Sequence, residues 1–262
     1  MIIVSILAAY GIALSIALAL AGHRAARAPV RPAAPPAAAA AVPASGAAGG
    51  RPKRVLVVGA TGGTGREIVA RALERGYGVT AFARDPSKLS LTHPNLTVVR
   101  GDVLDAASVE NAVRGHDAIL SALGHKKYFG PSRILSGGTA NILRAMDAGG
   151  VRRLVCETSL GIGSSAGRLG LYYTFIVIPL VVPFYFWDKT RQERLVARSA
   201  AEWVLVRPGA LTNGSPRGRY RHGEGAGSFL WTVRVSRADV ADFMLDQIES
   251  DAYLRSAPGI CW

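Results

Sequence analysis

The run Val55-Leu56-Val57-Val58-Gly59-Ala60-Thr61-Gly62-Gly63-Thr64-Gly65 passes from apolar strand formers into glycines and then into the helical pattern Arg66–Arg75. No other stretch constrains the fold as tightly. The chain must turn sharply at Gly59, its backbone must lie close to an anion near Gly62, and Gly65 must let the helix pack tightly on the strand. The free N–H groups of the helix N-terminus then face a bound phosphate. A tight strand-to-helix turn with no ligand is the plain alternative. A second apolar strand, ending near Ala83, favours the phosphate cradle.

From Arg54 onward, β-rich runs alternate with helical patterns, which implies an α/β fold: a single Rossmann-like, doubly wound parallel sheet over residues 54–262. Strands are expected at Arg54–Val58, Gly78–Ala83, Leu96–Arg100, Asp117–Ser121, Arg153–Glu157 and Trp203–Arg207. Helices are expected at Gly63–Glu74, Ser108–Arg114, Ile134–Ala148, Lys189–Ser199 and Arg237–Ile248. Leu169–Trp187 breaks this rhythm, being charge-free for nineteen residues and rich in aromatics. A membrane crossing there would put two parts of one sheet on opposite sides of a bilayer. Pro179 and Pro183 instead suit an irregular lid over a pocket, or a segment dipping into the headgroup region. A buried core helix is the alternative.

Residues Ile2–Ala21 carry no charge, and twenty residues of helix span about 30 Å, the thickness of a bilayer's hydrocarbon core. Residues 1–21 therefore read as a transmembrane anchor. A cleaved signal peptide is the alternative, with small residues in Leu18-Ala19-Leu20-Ala21-Gly22, but no basic residues precede the apolar run. Arg24, Arg27, Arg31, Arg51, Lys53 and Arg54 follow it, which places the C-terminal bulk in the cytoplasm by the positive-inside rule. Residues 22–53 collapse to mostly Ala, Pro, Gly and Arg and read as a disordered linker.

With 31 Lys and Arg against 18 Asp and Glu, the formal charge is +13. The arginines are scattered and lack an aromatic stacking platform or a helix-turn-helix pattern, so nucleic acid is not the expected partner. Anionic headgroups and a phosphate-bearing cofactor account for the charge more simply. Cys156 and Cys261 have neither disulfide-framework nor metal-site spacing. His23, His93, His116, His125 and His222 show no ligand spacing and read as loop residues, so no metal is expected.

Dinucleotide sites that prefer NAD place an acidic residue at the end of the second strand, where this chain has Ala83. Arg84 follows it and Lys88 lies four further on, so a guanidinium and an ammonium are available for a 2′-phosphate, favouring NADP(H). The alternative keeps Arg84 as a solvated charge and turns Asp85 back into the acidic role. In Gly101-Asp102-Val103 a carboxylate can accept from the adenine amino group beside an aliphatic neighbour, or can cap its own loop. The small residues of Ser121-Ala122-Leu123-Gly124 let backbone approach a cofactor.

These stretches resemble the atypical short-chain dehydrogenase/reductases, and within them the NAD(P)H-binding group related to flavin reductase and biliverdin reductase B. The resemblance runs from Arg54 to Trp262. It is carried by Val57–Gly65, Ala83–Leu89, Gly101–Val103, Gln192–Leu195, Trp203–Gly209 and Ser236–Ala241. It implies cofactor contacts at Gly59, Thr61, Gly62, Thr64, Gly65, Arg84, Asp102 and Val103, and near Leu123, Gly124, Thr158 and Pro208. Superfamily members with a Tyr-x-x-x-Lys pair use the tyrosine as proton donor. The lysine there holds the ribose and favours ionisation of the phenol, and a strand-end serine orients the substrate oxygen.

Tyr185 and Lys189 have that spacing, which puts both on one helix face, and Ser159 follows the strand Arg153–Glu157. The expected catalytic set is therefore Ser159, Tyr185 and Lys189, with Lys189 also contacting cofactor. Chance spacing within an aromatic run is the alternative for Tyr185. The expected activity is hydride transfer from NADPH to an apolar aromatic acceptor: a flavin, a quinone or a linear tetrapyrrole. A non-catalytic NADP(H) sensor is the main alternative. A nucleotide-sugar epimerase fits less well, because the region after Pro208 is short.

Overall fold

The computed structural model describes residues 53–262 except 126, 127 and 129, so the stretch Ile2–Ala21 and linker residues 22–52 lie outside the described residues. The parallel strands form at the short β-branched and apolar runs: β1 (Arg54–Val58), β2 (Gly78–Ala83), β3 (Leu96–Arg100), β4 (Ala118–Ser121), β5 (Arg153–Glu157) and β6 (Glu202–Pro208). Between or after them come α1 (Gly63–Glu74), α2 (Ala106–Val113), α3 (Ile134–Gly149), α4 (Pro183–Ala197) and α5 (Arg237–Asp246). Short strands β7 (Ala210–Thr212), β8 (Arg221–Gly223), β9 (Arg234–Ser236) and β10 (Gly259–Cys261) complete the set. The main sheet runs β3-β2-β1-β4-β5-β6-β10-β8, parallel except for antiparallel β8.

The central strands β1, β2, β4, β5 and β6 are covered on both faces and read as continuous apolar runs, whereas the edge strands β3 and β8 are largely exposed. Along β1, Val55 and Val57 pack with Ile68, Val69 and Ala72 of α1 and with Val240, Phe243 and Met244 of α5. Leu56 and Val58 point the other way, toward Val109 of α2, Leu135 and Ile142 of α3 and Val196 of α4. Side chains of this kind contribute about 1.5–3 kcal/mol each when fully buried. The chain reverses strand order between β1 and β4, where sheets of this topology open a crevice at the carboxyl ends.

The stretch Leu169–Trp187 departs from the expectation of an irregular lid: Tyr173–Val181 winds as a π-helix and α4 starts at Pro183, six residues before the expected Lys189. Proline punctuates the stretch without stopping it. Pro183 occupies the first turn of α4, where an N–H would have no intrahelical acceptor anyway. Around Pro179 the winding loosens, and Val182 N donates to Val177 O, five residues back, at 3.0 Å. The buried-core alternative is not realised either, since within the π-helix only Ile178 and Pro179 are buried. Among the described residues no helix is long and apolar enough to cross a membrane.

Candidate functional site

At the β1 to α1 turn the glycines do what their positions require. Gly59 has φ of +82°, and a Cβ there would sit 2.6 Å from Ala122 O at the end of β4. A Cβ on Gly65 would overlap Gly59 O and lie 2.9 Å from Ala60 Cα, so only glycine lets α1 seat on the turn. Gly62 is the N-cap of α1 and supplies no side-chain hydrogen bond. The first-turn N–H groups are therefore available to an anion from outside the helix. Arg237, the first residue of α5, lays its guanidinium against the position a Gly63 Cβ would occupy, adding a cation at this helix end.

The turn forms one wall of a cleft of about 410 Å³ at the carboxyl ends of the strands. Of the residues singled out from sequence, Gly59, Thr61, Gly62, Thr64, Arg84, Asp102, Val103, Leu123, Gly124, Thr158, Tyr185 and Lys189 line it. Gly65, Ser159 and Pro208 do not. Gly65 acts through the packing of α1, and Pro208 O accepts from Leu160 N at 2.9 Å within the sheet. Ser159 corrects the expected catalytic set: its hydroxyl donates to Leu160 O at 2.8 Å. Sequence reasoning missed Glu157, His125, Tyr128 and Arg237, all on the cleft wall. Their common signal is position, in or beside segments that end at the crevice, rather than any motif spacing.

At the β2 end of the cleft Arg84 is exposed and makes no hydrogen bond or ion pair among the described residues. Lys88 does not share that freedom: its Nζ lies 3.0 Å from Asp85 Oδ2. Ser87 Oγ donates to Asp85 Oδ1 at 2.6 Å, and these two partners hold the Asp85 carboxyl below its usual range. Asp85 is thereby turned to its own loop, and a 2′-phosphate would meet Arg84 first. Asp102 Oδ1 accepts from Leu104 N at 2.9 Å, so this carboxylate caps its loop while remaining on the cleft wall.

At the other end, α4 is locked to α3 before it offers any chemistry. Asp188, wholly buried, accepts from Leu135 N at 2.9 Å and Ser136 N at 3.2 Å, capping the start of α3, whose N-cap Arg133 supplies no side-chain bond and whose Ile134 N donates to Ser132 Oγ at 3.3 Å. Gln192 Nε2 adds a bond to Thr139 Oγ1 at 3.1 Å. The adjacent turn then carries Tyr185 and Lys189 into the cleft. Lys189 is buried, donates from Nζ to Glu157 O at 3.4 Å and lies 5.3 Å from the Tyr185 ring centroid. The Tyr185 hydroxyl reaches to 3.7 Å from where a Gly124 Cβ would stand, and its ring meets His125 edge-on at 4.9 Å.

Burial alone would lower the Lys189 pKa, but Tyr185 and Glu157 beside it raise it further, so the side chain is an ammonium at neutral pH. Glu157 carries the opposite tension. Burial raises its carboxyl pKa, with Lys189 and the 3.0 Å hydrogen bond from Thr64 Oγ1 opposing incompletely. A folded pKa above the unfolded one contributes stability that is complete below the unfolded value, near 4.3, and is lost as pH rises through the folded value. Glu157→Gln keeps an acceptor for Thr64 and removes this titration. Its melting temperature relative to the parent is expected to climb between pH 4.5 and pH 8, as a pH series of thermal melts will show. A flat difference would mean that Glu157 is ionised throughout.

Cys156, next to Glu157, is pushed up to about 12 by complete burial, so its thiol is inert packing. Behind Thr158, a buried network fixes the cleft floor. Thr158 Oγ1 donates to Glu193 Oε1 at 2.7 Å, and Arg207 grips the same carboxylate through Nε at 2.9 Å and Nη2 at 2.7 Å. Arg207 Nη1 also donates to Ser164 Oγ at 2.8 Å. Asp239 is a second hub, accepting from Ser236 Oγ, Arg217 N, Gly218 N and Trp262 Nε1. Burial opposes its ionisation, yet those donors hold its carboxyl below the usual range.

A glycine cradle at a helix N-terminus, opposite a lysine and a tyrosine at the β1/β4 crevice, is the geometry of a dinucleotide site. Residues 59–251 match the NAD(P)H-binding family. The chain belongs to that family. It is 32% identical over 181 residues to an uncharacterised chloroplast protein of Arabidopsis thaliana, covering 64% of this chain and 62% of that one. The chain thus spans under two thirds of that relative's length. Among solved structures it is similar to a short-chain dehydrogenase/reductase of Veillonella parvula in complex with NADP, with a TM-score of 0.65, 18% identity and coverage of 79% and 94%. It is also similar in fold to an anaerobilin reductase of Escherichia coli O157:H7, with a TM-score of 0.66, 23% identity and coverage of 79% and 96%.

Proposed function

We propose that this chain is an NADPH-dependent reductase whose acceptor is apolar and aromatic, of the flavin, quinone or tetrapyrrole kind. The observation that carries this reading is the placement of Tyr185 and Lys189 on the wall of the cleft that begins at the Gly59 turn. Bound there, the dinucleotide supplies hydride. The chain's own residues do the rest. The α1 N-terminus and Arg237 bind the pyrophosphate, Arg84 pairs with the 2′-phosphate, and Lys189 holds ribose while keeping positive charge beside Tyr185. Tyr185 Oη holds the proton that the reduced acceptor takes up, and the rings of His125 and Tyr128 flank the phenol at 4.9 and 6.2 Å.

Two variants separate these roles. Arg84→Ala is expected to weaken NADPH binding about 10- to 100-fold, the worth of one charged hydrogen-bonding partner, and to leave NADH binding unchanged. Calorimetric titration of both nucleotides checks this, and equal weakening of both would remove Arg84 from the 2′ position. Tyr185→Phe is expected to lower kcat about 100-fold with NADPH affinity retained.

The test of the reaction is NADPH oxidation followed by absorbance across a panel of flavins, quinones and linear tetrapyrroles. At least one must accelerate it. If NADPH binds tightly and none does, the chain is a non-catalytic NADP(H) sensor. That second reading draws on Ser159, which does not line the cleft and whose hydroxyl donates to Leu160 O.

The same proposal places the cleft beside a membrane. Ile2–Ala21 anchors the chain and the arginines after it hold the domain on the cytoplasmic side, where NADPH and a lipid-dissolved acceptor meet.

A further inference from the structure

Two apolar segments far apart in sequence emerge side by side on the surface. Ser228 N donates to Arg168 O at 2.8 Å, Leu169 pairs with Ser228, and Gly170 has no room for a Cβ because the Trp231 carbonyl carbon would lie 2.6 Å away. From that junction one segment leads into the π-helix and the other forms the loop Phe229-Leu230-Trp231. The i to i+5 winding brings residues four and five apart onto one face. That face presents Phe175, Ile176 and Leu180 at 51%, 46% and 44% exposure. The loop presents Phe229, Leu230 and Trp231 at 57%, 60% and 75%. Single exposed apolar residues are ordinary, but a patch gathered from two segments at a shared junction marks an interaction site.

Charge indicates what covers it. Neither Leu169–Trp187 nor Ala226–Val233 contains a charged residue; Arg168 precedes the first, Arg191 follows it after the buried Asp188 and Lys189, and Glu224 and Arg234 flank the second. Arg191 stacks over the Trp187 ring at 4.8 Å, a cation on an aromatic where the apolar stretch ends. Nearby Glu224 is the acid at this edge, its backbone carbonyl accepting from Arg168 Nη1. An apolar face with aromatics and an arginine rim matches the boundary between acyl chains and anionic headgroups.

We propose that this patch docks the folded domain onto an anionic bilayer as a second, monotopic contact. The inference rests on the anchor reading of Ile2–Ala21 given above. If residues 22–53 act as the linker that their composition implies, a flexible chain of that length would have an r.m.s. reach of roughly 30 Å, which would keep the patch at high effective concentration over the surface, so a weak interfacial attraction suffices. Docking also aims the cleft. The start of α4, which follows the π-helix directly, carries exposed Phe184 and Trp187 beside Tyr185 in the cleft, so an acceptor leaving the lipid would meet the phenol within about one turn of helix.

The test uses the full chain reconstituted into vesicles of phosphatidylcholine and phosphatidylglycerol, with and without brominated acyl chains. Trp231 of the loop and the exposed Trp187 at the end of the apolar stretch are two of the four tryptophans, so brominated lipid is expected to quench up to about half of the emission. The variant Phe175→Ser/Ile176→Ser/Phe229→Ser/Leu230→Ser keeps all four reporters. It should float with the vesicles and retain NADPH binding while its quenching falls at least about threefold. Flotation without quenching in the parent chain overturns the docking surface and leaves the anchor standing. Quenching that survives in a chain that fails to float overturns the anchor alone. Equal quenching of parent and variant, or a parent dimer in detergent that the variant dissolves with no lipid quenching in either, overturns the proposal and in the latter case assigns the patch to a second copy.

Discussion

Gly65→Ala is expected to lower NADPH affinity by at least about 100-fold and to destabilise the fold by about 1–3 kcal/mol. A helical alanine normally gains up to about 1 kcal/mol over glycine, so propensity alone predicts the opposite sign for stability. Packing wins because the added Cβ would overlap Gly59 O and press on Gly59 C at 2.8 Å and Ala60 Cα at 2.9 Å, which are backbone atoms with no rotamer to yield. The helix must lift off the turn. Its first-turn N–H groups then leave the position in which they meet the pyrophosphate, and losing two charge-assisted hydrogen bonds at about 1.5–3 kcal/mol each accounts for the affinity. Nucleotide titration and a denaturant melt check the two effects separately. A variant that binds NADPH like the parent would show that the cradle is not the phosphate site.

Arg207→Met is expected to cost about 3–5 kcal/mol, among the largest losses any single side chain here can cause. The pair it breaks is shielded, with the Arg207 and Glu193 side chains 7% and 8% exposed, and the methionine leaves Glu193 buried with only Thr158 as donor. At about 2–4 °C per kcal/mol for a domain of this size, the melting temperature falls roughly 6–20 °C. The double variant Arg207→Met/Glu193→Leu should recover most of that, because a buried ion pair replaced whole by apolar groups is close to neutral. If the double variant is as unstable as the single, the network contributes by holding Thr158 rather than by pairing charge. Thermal melts of parent, single and double variants decide this.

The parallel sheet and the phosphate turn were legible because they rest on local rules: β-branched runs make strands, and a glycine at every third residue permits a close backbone approach that nothing else does. β1, α1, β2 and β3 match the expected bounds residue for residue. The rest depends on contacts between distant residues. Pro183 reads as a break along the chain, but it starts α4 because Asp188 and Gln192 bind that helix to α3. Ser159 and Lys88 have suitable chemistry and spacing, but Leu160 O and Asp85 claim them. Glu157 and Arg237 belong to the cleft through tertiary placement alone. The strands β7 to β10 are three residues each, too short for periodicity to register.

The central claim is that the crevice from Gly59 to Lys189 is a site for NADP(H) in preference to NAD(H). Calorimetric titration of the full chain with NADPH and, separately, NADH tests it most directly. The account predicts one site per chain, with NADPH bound at least about tenfold tighter, a difference of about 1.4 kcal/mol that the Arg84 to 2′-phosphate pair readily supplies. Equal affinity for the two nucleotides, or no binding of NADPH, would contradict it.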